Sequence, residues 1–330
     1  MMDKRPIIID CDTGIDDAVA LTIACISEEI DILAVTTVAG NCTVDNSTRN
    51  TCNVLHFLGR DDIPVGKGAA EPKERPLITA GSVHGTTGLR GWKFEEDYSD
   101  NLSSKDAVEL LYEVLIKSQE PVTIVALGPV TNIEKLIRVH SDIKYKIREI
   151  VFMGMSYHSG NPTALSTFNV LVDPEAFRSL LFSGIPIIAC PLDTTRKTYL
   201  SPDDRKRICS VGTKASVFVS SILSGYGELL PNKSLESELD FGSSGDMLND
   251  ENLPMHDPAT IAYVIKPSLF NGTKYYADVE CKGEITMGFT FIDKENYYKK
   301  KEEEKNVLVL ETVDRQGFVD LFIERLGEYQ

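Results

Sequence analysis

Four aspartates, Asp10, Asp12, Asp16 and Asp17, crowd the stretch Ile7-Ile8-Ile9-Asp10-Cys11-Asp12-Thr13-Gly14-Ile15-Asp16-Asp17-Ala18. Carboxylates this close repel one another strongly unless something positive lies between them. Aspartate caps helices well and suits a first helical turn, which accounts for one or two of them. The rest point to a bound cation. The donors are all oxygen, with no Cys or His cluster beside them, so the ion is a hard one, Ca2+ or Mg2+. Cys11 reads as an inward-facing strand residue rather than a ligand.

The surrounding pattern says what positions these groups. An apolar, β-branched run leads into a glycine turn and then an apolar-periodic segment (Ala18, Val19, Leu21, Ile23, Ala24). That order is a buried strand, a tight turn and a helix. The acids therefore sit at the carboxyl end of a central strand, where α/β sheets bind ligands. Further strand-like runs at 32–38, 122–127, 150–153 and 185–190 alternate with helix-like stretches at 45–58, 105–117, 131–139 and 174–182. The alternation predicts an α/β fold with a mainly parallel central sheet flanked by helices, a Rossmann-like open sheet.

From Ser201 the pattern changes. Ser201 and Pro202 open a helix, and 214–230 reads as another. The polar, Gly/Ser-rich residues 234–253 read as disorder or as a loop over a site. Residues 275–292 read as a small C-terminal β-hairpin, the charge run 299–305 as a solvated turn, and 314–326 as a closing amphipathic helix. No linker separates two cores, so one domain over 1–330 is expected.

Composition narrows the function classes. The chain has 330 residues, 42% of them hydrophobic, and a net charge of −16. Such a charge argues against nucleic acid or an anionic membrane as partner and is compatible with a metal or a small neutral or cationic ligand. No apolar run is long enough to span a bilayer, and the N-terminus enters a strand with no signal-peptide core, which predicts a cytoplasmic protein. The seven cysteines follow no disulfide or C-x-x-C spacing, as suits reduced thiols.

Each apolar strand also ends in polar residues: Asn41 after the second, Gly128 to Asn132 after the third, and Asp193-Thr194-Thr195 after the fifth. The fourth is followed by Tyr157 to Asn161 and then Thr167-Phe168-Asn169. One such ending is turn chemistry. Several in phase, beside an aspartate cluster, point to one convergent site. Two histidines join them. His84 lies in a glycine-punctuated loop, and His256-Asp257-Pro258 opens a helix, where Asp257 reads equally as a cap.

Together these pieces resemble the nucleoside hydrolases, the inosine–uridine-preferring nucleoside N-ribohydrolase family. The family signature D-x-D-P-G-x-D-D-A stands here as Asp10 to Ala18, and the resemblance continues through Asn41, the His84 loop, residues 128–132 and 153–169, and His256-Asp257-Pro258. It implies a Ca2+ enzyme that splits the N-glycosidic bond of ribonucleosides into base and ribose. By resemblance Asp12, Asp17, Asp257 and the Leu127 carbonyl hold Ca2+, with Asp10 in a supporting position behind them. Asp16, Asn41, Asn161 and Asn169 hold the ribose hydroxyls, and Met153 lies beneath the sugar. His84 and His256 flank the nucleobase, with Tyr226 an aromatic of the leaving-group pocket. The resemblance also implies a homodimer or homotetramer.

The chemistry suits these residue types. Ribosyl transfer passes through an oxocarbenium-like state, as in glycoside hydrolysis. Asp12 can take a proton from water as general base. His256, with Tyr226 in relay, can protonate the departing base, since imidazole titrates near neutral pH.

Two positions depart from the family. Thr13 replaces a turn proline. Thr167 replaces the glutamate that many members carry before Phe-Asn and that holds the 5′-hydroxyl; threonine is shorter and uncharged. His256 and the single tryptophan, Trp92, place the chain with the broad or pyrimidine-preferring branch rather than with members that sandwich purines between tryptophans. Two rivals remain: a haloacid dehalogenase-type phosphatase with Asp10 as nucleophile and Mg2+ as metal, and a nucleoside or ribose binder without turnover.

Overall fold

In the computed structural model, which describes residues 4–227 and 252–329, the chain builds an eight-stranded central sheet. Its strands are β1 (Arg5–Cys11), β2 (Ile30–Thr37), β3 (Val65–Lys67), β4 (Val122–Ala126), β5 (Ile147–Met153), β6 (Ile187–Cys190), β9 (Phe270–Tyr275) and β12 (Val307–Val313). Short pairs lie outside it: β7 (Tyr199–Leu200) with β8 (Leu253–Pro254), and β10 (Ala277–Val279) with β11 (Thr290–Ile292). The order across the sheet is β3-β2-β1-β4-β5-β6-β12-β9, parallel throughout except for the antiparallel β12–β9 edge. The β10–β11 pair is the hairpin expected near 275–292.

The helices are α1 (Ile15–Ile26), α2 (Val44–Phe57), α3 (Gly81–His84), α4 (Ala107–Lys117), α5 (Thr131–Val139), α6 (Phe168–Val172), α7 (Pro174–Leu181), α8 (Leu192–Thr195), α9 (Pro202–Val211), α10 (Lys214–Gly227), α11 (His256–Ile265) and α12 (Arg315–Glu328). Among the described residues, no helix is long and apolar enough to cross a membrane. The expected loop at 234–253 lies almost entirely outside the described residues, as does the end of the helix expected over 214–230.

β1 sits between β2 and β4, and its side chains alternate between the two faces, as a strand requires. Ile7, Ile9 and Cys11 enter the apolar layer that contains α1 and the buried residues of α10, α11 and α12. Ile8 enters the opposite layer, with residues of α4, α5 and α7. Burial on both faces is why β1 reads as an unbroken apolar run. The same alternation turns Asp10 toward α5, where no apolar partner could satisfy it.

β12 had no assignment from the sequence. It lies between β6 and β9, with Leu308 opposite Ile188 on one side and Lys274 on the other. Its partners lie in distant parts of the chain, so nothing local marks its place in the sheet.

Candidate functional site

The site forms where β1 stops. Leaving β1, the chain crosses Asp12 and Thr13 and enters α1 through Gly14 as N-cap, which puts Asp16 and Asp17 in the first helical turn. Asp17 closes that turn. Its Oδ2 accepts the Gly14 N–H at 2.9 Å and its Oδ1 the Asp12 N–H at 3.2 Å. Helix α11 packs beside α1 and carries His256 and Asp257 at its own N-terminus. Pro258 falls in the first turn of α11, where a missing N–H costs nothing. Two helix N-termini, with their partial positive charge, thus meet at the carboxyl edge of the sheet.

Carboxylate oxygens of Asp16, Asp17 and Asp257 all lie within 4.8 Å of one another, close enough to share a metal ion. Asp16, expected on the ribose, is therefore part of that trio. Asp12, expected as a ligand, stands beside it. Its Oδ2 accepts the Asn41 N–H at 2.6 Å, while its Oδ1 is buried with no hydrogen-bond partner. Glycines flank it: a Cβ on Gly128 would lie 2.6 Å from Asp12 Oδ1, and one on Gly40 would collide with Oδ2.

Burial, then the charge of Asp17, pushes the Asp12 carboxyl well above the usual carboxylate range. Burial and the charge of Asp16 do the same to Asp257. Asp16 and Asp17 are also raised, chiefly by burial. What opposes that rise within the protein includes backbone N–H groups, those of Asp16 and Asp257 on Asp16 and that of Gly14 on Asp17. Crowded buried acids and an orphaned carboxylate oxygen fit a divalent cation, since a cation removes the repulsion and supplies the missing partner.

Asp10 stands two residues before Asp12, near the end of β1. Asn132 Nδ2 donates to its Oδ1 at 2.8 Å, Thr36 adds a second bond to the same oxygen, and Oδ2 is unpartnered. Burial pushes its pKa up to about 7 against those hydrogen bonds. Cys11 faces the core and bonds weakly to Thr13 and Thr51.

The expected sugar-binding residues gather at the same rim, several of them already engaged. The Asn41 side chain donates to Asp17 Oδ2 at 2.9 Å. Asn169 Nδ2 donates to the carbonyls of Leu127 and Met153, so the Leu127 oxygen expected on the metal is here an acceptor for an amide. Asn161 Oδ1 accepts the Phe168 N–H at 3.0 Å. Thr167 is buried, and its hydroxyl accepts the N–H of Met155, a residue held at φ 73°. The Tyr226 side chain lies outside the described residues.

Fractional exposure separates two tiers. Asp12 and Asp17 are fully covered, whereas Asp16, Asn41, His84, Asn169 and His256 each keep 6–8%. The second group forms the lip that a ligand would meet.

His84, at the end of α3, lies against the start of α1, where its Nδ1 accepts the Ile15 N–H at 3.1 Å. Burial lowers its pKa to about 4, so the ring is neutral and carries its proton on Nε2. His256 Nδ1 lies 2.7 Å from the Thr195 hydroxyl. Sequence reasoning assigned no role to Asn132, Gly40, Gly128 or Thr195. The only signal they gave was their place at strand ends. Trp92 packs with Phe57, Phe94 and Phe218 in the apolar layer beneath α10.

Comparison with known proteins adds to this geometry. The family model described as inosine-uridine preferring nucleoside hydrolase matches residues 7–320. The pyrimidine-specific ribonucleoside hydrolase RihA of Citrobacter koseri is 40% identical over 324 residues, 98% of this chain and 98% of its own. A solved plant nucleoside hydrolase, the PpNRh1 enzyme, is similar with a TM-score of 0.86 at 27% identity, covering 98% of this chain and 99% of that one. The purine-preferring ribonucleoside hydrolase from Gardnerella vaginalis gives 0.85 at 26% identity over 98% of both chains.

Proposed function

This chain belongs to the inosine-uridine preferring nucleoside hydrolase family and is an N-ribosyl hydrolase; from that premise we propose that it is a Ca2+ enzyme that prefers pyrimidine ribonucleosides. The observation that carries the metal reading is the buried carboxylate cluster with its unpartnered Asp12 oxygen. Support for the base preference is the pyrimidine-specific name of the 40%-identical relative and the packing of the half-buried Trp92 against Phe57, Phe94 and Phe218. Family membership displaces the phosphatase reading.

Asp12, Asp17, Asp257 and the Leu127 carbonyl would hold the ion, with Asp16 beside them. Bound there, Ca2+ supplies a polarised water and a grip on neighbouring hydroxyls. Asp12 then takes a proton from the attacking water as its oxygen bonds to C1′. The C1′–N bond breaks, and His256 gives a proton to the departing base. Thr195 keeps the His256 ring in one orientation through Nδ1. Asp16, Asn41, Asn161 and Asn169 orient the ribose, and Met153 lies under it. The dense negative charge favours a sugar that becomes cationic in the transition state. With its hydroxyl on the Met155 N–H, Thr167 leaves the 5′ end without the carboxylate other members offer. Asp10 works from behind, through Asn132 and Thr36. One sheet serves both apolar layers, which supports a single domain.

The deciding experiment is a nucleoside panel, with and without chelator, assayed for reducing sugar with wild-type protein and His256→Ala. Uridine and cytidine are expected to outpace inosine and guanosine, and chelator to stop all four. His256→Ala is expected to slow uridine about 10²-fold or more and p-nitrophenyl riboside far less, since that leaving group departs without a proton. Equal losses on both would remove the acid role. Ribose binding without base release from any nucleoside would make the protein a binder.

Gly128→Ala probes the fit around Asp12 without changing a polar group. The new methyl would press on Asp12 Oδ1, and a displacement of even 1 Å at a reacting group costs about 10²-fold in rate. The expected result is that loss in kcat with a cooperative melt retained; an unchanged kcat would mean that Asp12 has room to move.

A further inference from the structure

Three asparagines on α2, Asn46, Asn50 and Asn53, fall at i, i+4 and i+7, which places them on one face of the helix. Each holds the chain segment that follows α3 or runs on from it. Asn46 Nδ2 donates to the Thr86 carbonyl at 2.9 Å. Asn50 Nδ2 donates to the Thr87 carbonyl at 2.8 Å and to the Thr13 carbonyl at 3.1 Å. Asn53 accepts the Tyr98 N–H through Oδ1 at 2.6 Å and donates to Asp97 through Nδ2 at 3.0 Å.

Asn50 differs from its neighbours in having partners on two separate pieces of the site. Thr13 belongs to the turn between Asp12 and Asp17. Thr87 belongs to the loop that begins at His84. Asn50 is 4% exposed and Thr13 is fully buried, so the Thr13 carbonyl has no water as a ready substitute. The loop is shaped for this approach. Gly88 has φ +89°, and a Cβ there would lie 2.7 Å from Asn50 Nδ2 and 3.0 Å from the Thr13 oxygen. On its far side the loop folds back on itself, with the Arg90 N–H on the His84 carbonyl at 3.1 Å and the Arg90 guanidinium on the Ser82 carbonyl at 3.0 Å. His84 is thus tied to the aspartate turn at two points: through its own ring on the Ile15 N–H, and through Asn50.

We propose that Asn50 is a positioning residue, one that sets the distance between His84 and the Asp12–Asp17 turn and thereby the nucleobase side of substrate recognition. Asn46 supports the same loop from the solvent edge. The inference rests on the reading that His84 lies beside the base of a bound nucleoside. A side chain that touches no reacting atom acts here by fixing a loop, so its loss falls on nucleoside affinity and leaves the groups that bind ribose and cation in place.

The test is steady-state kinetics on a pyrimidine ribonucleoside with Asn50→Ala and Asn46→Ala, beside inhibition by free ribose and the Ca2+-induced shift in Tm. Asn50→Ala is expected to raise KM about tenfold, with kcat within about threefold of wild type. Ribose inhibition and the Ca2+ shift are expected to stay unchanged. Asn46→Ala, half exposed and safe for folding, is expected to raise KM about threefold in the same direction. Unchanged KM in both folded variants would overturn the proposal. So would a rise in the ribose inhibition constant matching that in KM, because the loss would then lie in the aspartate turn. If Asn50→Ala fails to fold, Asn46→Ala decides. Wild-type base release, measured in the same assay, keeps failure of the hydrolase reading distinct from failure of this one.

Discussion

Asp12→Asn is expected to lower turnover by at least ~10³-fold with the fold intact. The amide has the volume of the carboxylate, and its oxygen can still accept the Asn41 N–H that now bonds Asp12 Oδ2. It cannot take a proton from water. Its effect on stability should run against the usual trend for a buried substitution. The Asp12 carboxyl is held well above its ordinary range by burial and by the charge of Asp17, so its charged form is unfavourable in the folded protein. Removing that charge relieves Asp17, Asp16 and Asp257 together. In chelator the variant should melt no lower than wild type, and in Ca2+ it should gain less. Reducing-sugar release and thermal melts with and without Ca2+ read both effects. Near-normal turnover would remove Asp12 as the base.

Much of this arrangement could be read from the sequence because parallel strands buried on both faces leave plain apolar runs, and polar residues at their ends stand out against them. β1, α1 and the first-turn acids Asp16 and Asp17 follow from a dozen consecutive residues. The pairings that hold the site are different in kind. Asn132 reaches Asp10 from 122 residues away, and Thr195 reaches His256 from 61. Nothing near either residue announces the partner, because the sheet order brings them together and not the local pattern. Gly40 and Gly128 read as turn glycines until Asp12 is seen between them. Asn41 and Asn169 show a further limit. Their residue types suggest groups for sugar hydroxyls, yet here their amides are bonded to Asp17, Leu127 and Met153. A sequence carries the donor but not the acceptor it will meet. Thr167 could be read as a departure from its family, but that its hydroxyl bonds Met155 depends on the left-handed turn of Met155.

The acid cluster also predicts how the metal-free protein responds to pH. An acid whose folded pKa is raised binds its proton more tightly in the folded state than in the unfolded one. Its stabilising contribution is fully present below the unfolded pKa of about 4 and is lost as pH rises through the folded pKa. For Asp10 that loss runs up to about 7. Asp12 and Asp257 are also raised well above the usual carboxylate range, by burial and by neighbouring aspartate charge, and act in the same direction. His84 works the other way. Its pKa is lowered to about 4, so the unfolded chain takes up the proton first, and stability falls as pH drops below about 6.5. Between pH 6.5 and 8 the folded-state histidine is neutral and the unfolded one sheds only its remaining half proton, so the carboxyls dominate. In chelator, Tm should therefore fall across that window. Ca2+ at about a hundred times its Kd adds roughly 2.7 kcal/mol, and more at the alkaline end, where the carboxylates are already ionised. Its presence should flatten the profile. A chelated protein whose Tm stays level or rises from pH 6.5 to 8 would mean that the acids are already neutralised by something other than a divalent ion, and the cation site would have to be given up.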